Sequence, residues 1–140
     1  MAVTHSPIFV QVPKLGALVV TAANTAKDGS GTIGTICTAS SDGGKLKRIR
    51  ACNAPASPTT NSAGLARIFY SVDGGTTWHF LQEKALAATA SSATVAGAEA
   101  IFTFPDGLDL QPSALIGGTE TIYAGVQDRL VFTGEYGNNS

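Results

Sequence analysis

The β character of the chain is clearest in residues 63–83, which read AGLARIFYSVDGGTTWHFLQE. Along the first half of this stretch, alternate residues are apolar or aromatic and therefore share one face of an extended strand. These residues are Ala66, Ile68, Tyr70 and Val72. The Asp73-Gly74-Gly75 segment that follows suits a tight turn, because glycine adopts positive φ angles without steric strain. The stretch therefore predicts a β-hairpin with strands at residues 63–72 and 77–83.

The turn of this hairpin carries the sharpest local motif of the sequence. Residues 71–78, SVDGGTTW, match the Asp-box pattern Ser-x-Asp-x-Gly-x-Thr-Trp, which is repeated in sialidase-like propellers. In that pattern the serine and aspartate side chains bond turn amides, and the tryptophan packs beneath. The box is a structural turn away from the active site of those enzymes, and 140 residues are too few for a propeller. We therefore interpret Ser71, Asp73, Gly75 and Trp78 as a structural hairpin.

Comparable runs on both sides of the hairpin extend the β pattern to the whole chain. Short segments rich in Val, Ile, Thr, Phe and Tyr alternate with turn residues at the spacing of a sandwich. They predict further strands at residues 8–12, 16–22, 32–38, 46–53, 99–104, 121–127 and 130–136. Residues 83–98 are rich in alanine but lack an apolar stripe, so they predict a loop with at most a single turn. The expected fold is all-β, an antiparallel β-sandwich formed by residues 15–136.

The N-terminal residues have the composition of an extended arm. Pro7 and Pro13 bracket the apolar run Ile8-Phe9-Val10. Proline lacks a backbone donor and so suits an extended arm or an edge strand. An exposed apolar arm needs a cover, either a neighbouring subunit or the protein's own sandwich. We predict an arm at residues 1–14 with Ile8, Phe9 and Val10 as candidate partner contacts, and a frayed tail at residues 137–140.

A second candidate partner contact is the basic run Lys45-Leu46-Lys47-Arg48-Ile49-Arg50, which holds four of the nine basic residues. Regular strand alternation places Lys45 and Lys47 on one face and Arg48 and Arg50 on the other. A strand charged on both faces belongs at a sheet edge or against an acidic surface of a partner. Nucleic acid is not an expected partner, because the formal net charge of the chain is −1 and a broad basic footprint is missing.

The overall composition favours self-association. Only 14% of the residues are charged, whereas roughly 25% is typical of soluble proteins. A weakly charged surface is tolerated when neighbours cover it, so we expect a homo-oligomer. No stretch approaches the roughly 18 apolar residues that span a bilayer, and the N-terminus lacks the pattern of a signal peptide. We therefore expect folding in the cytoplasm and no membrane partner.

The two cysteines, Cys37 and Cys52, lie in apolar strand-like runs and are interpreted as free thiols. If the Ser41–Gly44 turn joins its flanking strands directly, Cys37 lies opposite a residue near Arg48. A bridge between the two cysteines is then not expected, because their Cα atoms would be too far apart.

No residue pattern indicates catalysis, a metal or a cofactor. His5 and His79 lack a recognisable nucleophile setting. Five aspartates in glycine-containing loops are interpreted as turn formers and not as metal ligands: Asp28, Asp42, Asp73, Asp106 and Asp109. Four glutamates offer the carboxylates of a glycosidase, but nothing in the sequence brings two of them together: Glu83, Glu99, Glu120 and Glu135. We expect a protein that is not an enzyme.

Several segments resemble small proteins of tailed-phage genomes. They are Ser6-Pro7-Ile8-Phe9, Pro13-Lys14, the run TAANTAKDGSGT at residues 21–32 and the run FTFPDGL at residues 102–108. The likeness is strongest over about the first third of the chain. Such proteins are similar in size and β content to the jelly-roll decoration, or cement, proteins that sit as trimers on phage heads. The resemblance implies a jelly-roll sandwich and supplies no catalytic residues.

These observations together predict a structural protein of a phage virion. The first hypothesis is a capsid decoration protein that binds the major capsid protein, or another virion protein, as a homotrimer. The alternative is a carbohydrate-binding module of a tail fibre or spike, for which Trp78, Tyr70 and Tyr123 are the candidate stacking platforms, although core packing also accounts for these rings. A glycosidase is the third hypothesis. The expected location is the virion, after synthesis in the host cytoplasm.

Overall fold

The computed structural model describes residues 12–139, and these residues form an all-β domain. The eight strands are β1 (Val12–Val20), β2 (Gly34–Thr38), β3 (Gly44–Asn53), β4 (Gly64–Ser71), β5 (His79–Leu86), β6 (Glu99–Leu110), β7 (Leu115–Glu120) and β8 (Leu130–Asn138). The helical content of this part of the chain is one 3-10 turn, Val126–Asp128. None of its helical segments is long and apolar enough to cross a membrane.

The strands form two four-stranded antiparallel sheets that pack face to face. The first sheet has the order β1-β8-β3-β6 and the second has the order β2-β7-β4-β5. Each strand of the first half pairs with its counterpart from the second half: β1 with β8, β2 with β7, β3 with β6 and β4 with β5. This nesting arises when one long hairpin folds back on itself, and it is the jelly-roll arrangement. The predicted antiparallel β-sandwich of jelly-roll type is confirmed.

The core between the sheets is apolar, and at one place it is very thin. Its largest fully buried side chains include Phe102, Phe132, Leu46, Ile49 and Ile68. Near β2, by contrast, glycines of the first sheet replace side chains, since Gly16 pairs with Gly134 across β1 and β8. A Cβ atom on Gly16 would lie 1.9 Å from the carbonyl oxygen of Ile36 on β2. The two sheets therefore approach each other closely at this point.

The strand predicted at residues 121–127 is wrong, and β7 lies just before it. Glycines 117 and 118 interrupt the apolar run of β7 in the sequence, but the structure has no room for larger residues there. A Cβ atom on Gly118 would lie 2.9 Å from Ile36 Cδ1 and 3.0 Å from the Phe132 ring. The alternating residues Ile122 and Val126 are instead 43% and 75% exposed. Their alternation reflects a solvent-facing loop and not a strand.

The Ser41–Gly44 turn was expected to join two paired strands, but the strands on its two sides belong to different sheets. It carries the chain from β2 in the second sheet to β3 in the first. Cys37 therefore does not lie opposite Arg48, and its thiol is buried in the core. Cys37 and Cys52 are both free thiols, and burial raises the pKa of Cys37 to about 12.

The ends of the domain are tied into the first sheet. Residues 12–14, assigned above to the arm, begin β1 and pair with residues 136–138 of β8. Pro13 fits there because β1 is an edge strand. At the other end, β8 runs through Asn138, and the backbone N–H of Asn139 donates to the Gly43 carbonyl at 3.0 Å. The predicted contacts Ile8, Phe9 and Val10 lie outside the described residues, as does Ser140.

Residues 83–98 are divided between a strand and a loop. β5 continues to Leu86, and residues 87–98 contain no helix. The absence of a helix in residues 87–98 agrees with the missing apolar stripe, because a helix without such a stripe cannot dock on the sandwich. The prediction of a loop is confirmed for residues 87–98 and wrong for residues 83–86.

Candidate functional site

The basic residues of β3 project from one face of the first sheet. β3 lies between β8 and β6, so the first of the two expected settings, a sheet edge, is wrong, and contact with an acidic partner surface stays a prediction. Leu46 is fully buried, and the register with both neighbouring strands shifts between Leu46 and Arg48. The shift is a β-bulge that absorbs Lys47, and it turns Lys45, Arg48 and Arg50 to the same side. Regular alternation would place these basic side chains on both faces of the sheet, and the bulge places them on one face.

Ion pairs within the chain neutralise part of this basic group. Arg48 Nε donates to the Glu135 carboxylate on β8, which raises the pKa of Arg48 and lowers the pKa of Glu135. Lys45 Nζ lies 3.5 Å from Asp109 Oδ1. Arg50 Nε is buried and has no hydrogen-bond partner among residues 12–139. The Arg50 Nε donor is therefore not satisfied within this part of the chain.

An apolar stripe on β1 borders the basic group. Leu15, Ala17 and Val19 project from the same face of this edge strand. Leu15 lies in register with Glu135 of β8, which pairs in turn with Arg48 of β3. Leu15 is 72% exposed and Val19 is 45% exposed. This outer face of the first sheet therefore combines an apolar edge with a charged centre.

An open depression of about 710 Å³ lies where the stripe meets the basic residues. The depression is lined by the bulge of β3 and by residues 103–107 of the neighbouring strand β6, where the register with β3 shifts. The lining residues include Pro13, Leu15, Lys45, Lys47, Arg48 and Phe104. The end of the predicted arm, at Pro13 and Lys14, thus lies beside the basic run.

The outer face of the second sheet is closed by the loop at residues 21–33. Arg67 Nη1 donates to the Thr25 carbonyl at 2.8 Å, and Lys27 Nζ lies 3.0 Å from Glu83 Oε1. The Lys27 ammonium also lies 4.6 Å from the centre of the Phe80 ring, a cation–π contact. These contacts hold part of the segment at residues 21–32 against the sandwich. The two outer faces therefore differ, and the first sheet presents the open one.

The Asp-box-like hairpin forms the hydrogen bonds that its sequence predicts. Ser71 Oγ donates to Asp73 Oδ1 at 2.8 Å and accepts from the Gly75 N–H at 2.9 Å. Asp73 Oδ1 also accepts from the Thr77 N–H at 2.9 Å, and these donors lower the pKa of Asp73. Gly75 has a φ of 90°, which favours glycine. The geometry is that of a self-contained structural turn.

Replacing Asp73 by alanine is expected to lower the melting temperature by several degrees. The substitution removes the acceptor for the Thr77 amide and the Ser71 hydroxyl, and both groups belong to the turn that closes β4 on β5. Thermal unfolding followed by circular dichroism measures the change. Asp73→Asn keeps an acceptor oxygen and serves as the control, with a smaller loss. An alanine variant as stable as the wild type would contradict the structural role.

The three candidate stacking aromatics do not form one platform. Tyr70 is 37% exposed and its ring centre lies 5.2 Å from that of His79. Trp78 lies on the opposite face of the second sheet, with its ring against Gly117. Tyr70 pairs with Ile116 near the start of β7, whereas Tyr123 follows the end of that strand. A sugar bound to one of these rings would not contact the others.

The candidate catalytic and metal-ligating residues are also dispersed. His5 lies outside the described residues, and His79 stacks on Tyr70. Asp28 Oδ1 accepts from the Ser30 amide at 3.0 Å, as a turn former does. Three of the four glutamates bond side chains other than carboxylates: Glu83 with Arg67 and Lys27, Glu99 with Cys52, and Glu135 with Arg48. Residues 12–139 contain no group of three His, Cys, Asp or Glu side chains placed to hold a metal.

The fourth glutamate, Glu120, forms a buried pair with Asp128, which no sequence pattern predicts. Glu120 and Asp128 are each only 3% exposed, and both line a small cavity at one end of the sandwich. Burial and the negative charge of Asp128 raise the pKa of Glu120 to about 8. Asp128 is held by the amides of Ser62 at 2.6 Å and Ala124 at 2.8 Å. Its position after the mispredicted strand gave no sign of this burial.

The described residues thus offer two places with distinctive chemistry, the outer face of the first sheet and the Glu120–Asp128 cavity. Comparison of the chain with protein-family models and with curated proteins finds no match. The outer face is the larger of the two places, and it joins exposed apolar side chains to charged ones. It is therefore the candidate interaction surface of this jelly-roll domain.

Proposed function

We propose that this protein is a structural component of a tailed-phage virion, a capsid decoration protein that binds the head surface as a homotrimer. The observation that carries the proposal is the open outer face of the first sheet. There Leu15 is 72% exposed on an edge strand, next to the Arg48–Glu135 pair. An exposed apolar stripe beside an unpaired sheet edge is suited to contact with another protein.

The rest of the molecule supports a binding role without chemistry. The jelly roll occurs in viral capsid proteins, although a fold alone does not determine function. The low charge of the chain, 14% of residues, suits a surface that neighbours cover. The likeness of residues 21–32 to tailed-phage proteins adds the biological setting. In this proposal the outer face contacts either the capsid or a second subunit, and the protein is not an enzyme.

The substitution Leu15→Asp tests the surface. We expect the wild-type protein to scatter light as a trimer and to be present in many copies per purified virion. A carboxylate at position 15 adds negative charge beside Glu135 at one end of the apolar stripe, so the variant is expected to become monomeric or to be lost from virions. Light scattering and quantitative mass spectrometry of virions measure the two results.

Val126→Asp is the matched control. Val126 is as exposed as Leu15, at 75%, but it lies in the loop before β8 and away from the outer face. This variant is expected to keep the wild-type mass and copy number. A wild-type protein that is monomeric at high concentration and missing from virions would end the proposal. A copy number of a few per particle would indicate a location in the tail instead of on the head.

A further inference from the structure

The Glu120–Asp128 cavity is built from acceptors without a matching donor. Glu120 Oε1 is buried and has no hydrogen-bond partner among the described residues. Asp128 is fixed by two backbone amides, so its carboxylate stays ionised, and its pKa is lowered by the Ala124 and Ser62 hydrogen bonds against the opposing effect of burial. A buried carboxylate without a partner is strongly unfavourable, because it loses its hydration and gains nothing in return.

The surroundings of the pair are neutral. The lining residues besides the two acids are polar or apolar without charge, and they include Asn53, Asn61, Ser62, Leu86 and Leu130. No lysine or arginine of the described chain lines the cavity to balance the acids. The cavity measures about 10 Å³, which is room for one water-sized occupant. The cavity therefore has room for one small occupant, and a cation there would balance the charge of both carboxylates.

We propose that the Glu120–Asp128 cavity binds a calcium ion. Ca²⁺ prefers carboxylate, amide and carbonyl oxygens, and it tolerates irregular coordination. Mg²⁺ suits the cavity less well, because it requires octahedral geometry and keeps several waters. On binding, Glu120 coordinates as the carboxylate, and the proton it otherwise retains passes to solvent. This site is separate from the outer face, so the inference does not depend on the proposed function.

The site joins segments that are distant in the sequence. Asp128 bonds the Ser62 amide before β4, and Glu120 is the last residue of β7. A bound ion would therefore tie the loop at residues 121–129 to the start of β4 and stabilise this end of the sandwich. With few protein ligands, we expect a dissociation constant of about 0.1–1 mM, the range of weak calcium modules.

Thermal unfolding of the full chain tests the proposal. After treatment with EDTA, addition of 5 mM CaCl₂ at pH 7.5 is expected to raise the melting temperature by about 3–8 °C. The same concentration of MgCl₂ is expected to raise it less. Glu120→Gln keeps the shape of the side chain but removes its charge, and this variant should lose the response to CaCl₂. Titration calorimetry of the wild type should show one Ca²⁺ site per chain.

Glu99→Gln is the matched control, since it makes the same substitution at an exposed position on β6. It is expected to keep the full response to CaCl₂. Equal responses of the wild type and Glu120→Gln would place any calcium elsewhere and overturn the proposal. It is also overturned if CaCl₂ leaves the wild type unchanged while Glu120→Gln is more stable, because the occupant of the cavity is then a proton. Absence of calorimetric binding up to 5 mM leads to the same conclusion.

Discussion

Replacing Glu120 by glutamine is expected to stabilise the metal-free protein, with a gain that grows from pH 5 to about pH 8. The pKa of Glu120 is raised from 4.5 to about 8 in the folded state by burial and by the charge of Asp128. Between these values the folded chain holds a proton that the unfolded chain has lost. Raising the pH through this range therefore lowers wild-type stability by roughly 1.4 kcal/mol per unit at most. Glutamine does not titrate and escapes this loss.

The size of the effect makes it easy to measure. The loss accumulates over the whole interval, so the melting temperatures of Glu120→Gln and the wild type are expected to differ by on the order of 10 °C at pH 9. Near pH 5 the two should nearly coincide. Melting curves in EDTA at unit steps of pH provide the test, and Glu99→Gln, at an exposed site, should follow the wild type. Parallel pH profiles for Glu120→Gln and the wild type would show that Glu120 does not titrate in this range.

Replacing Gly16 by alanine is expected to destabilise the domain by roughly 3 kcal/mol or more, the upper range for an overpacked core. The added Cβ would lie 1.9 Å from the Ile36 carbonyl oxygen and 3.0 Å from its carbon. Both are backbone atoms, so no side-chain rotation relieves the clash. Either β1 or β2 must move, and β1 is held in register by β8 along its whole length.

Gly97→Ala is the control for this substitution. The nearest atom to its added Cβ is the Asn53 carbonyl oxygen at 3.5 Å, an ordinary contact. This variant is therefore expected to be close to the wild type in urea denaturation, whereas Gly16→Ala should unfold at a clearly lower urea concentration. If the two variants unfold at the same concentration, the close approach of the sheets at β2 is not needed for stability.

The parts of the fold that could be predicted from the sequence are those where local pattern and tertiary structure agree. The hairpin at residues 63–83 combines alternation with Asp-Gly-Gly turn residues, and it forms β4, β5 and the turn between them. The strand β7 was not predicted, because Gly117 and Gly118 have low strand propensity. Glycine is required at these two positions because Ile33, Ile36 and Phe132 pack closely against them. These three residues are distant in the sequence, so a short sequence segment around β7 does not show the requirement.

The candidate site shows the same division. The basic run at residues 45–50 was correctly placed on a strand, but the Lys47 bulge depends on pairing with β6 and β8 together. Alternation alone therefore assigned the charges to two faces. Glu120 was noticed only as one carboxylate among four. Its burial beside Asp128 depends on how the end of β7 and the loop before β8 close over the core, and neither sequence segment is apolar enough to signal it.

The pairing of β1 with β8 also determines when this domain can become complete during synthesis. Val12 pairs with Asn138, so β1, the first of the eight described strands to be made, stays without its partner until β8, the last of them, has left the ribosome. Such non-local pairing is typical of β-sandwiches that fold in milliseconds to seconds. During that interval the open edge of β1 is available to other nascent chains. Chains that stop before residue 130 would lack β8 entirely, so β1 would lose its neighbour in the described sheet and β3 would have one unpaired edge.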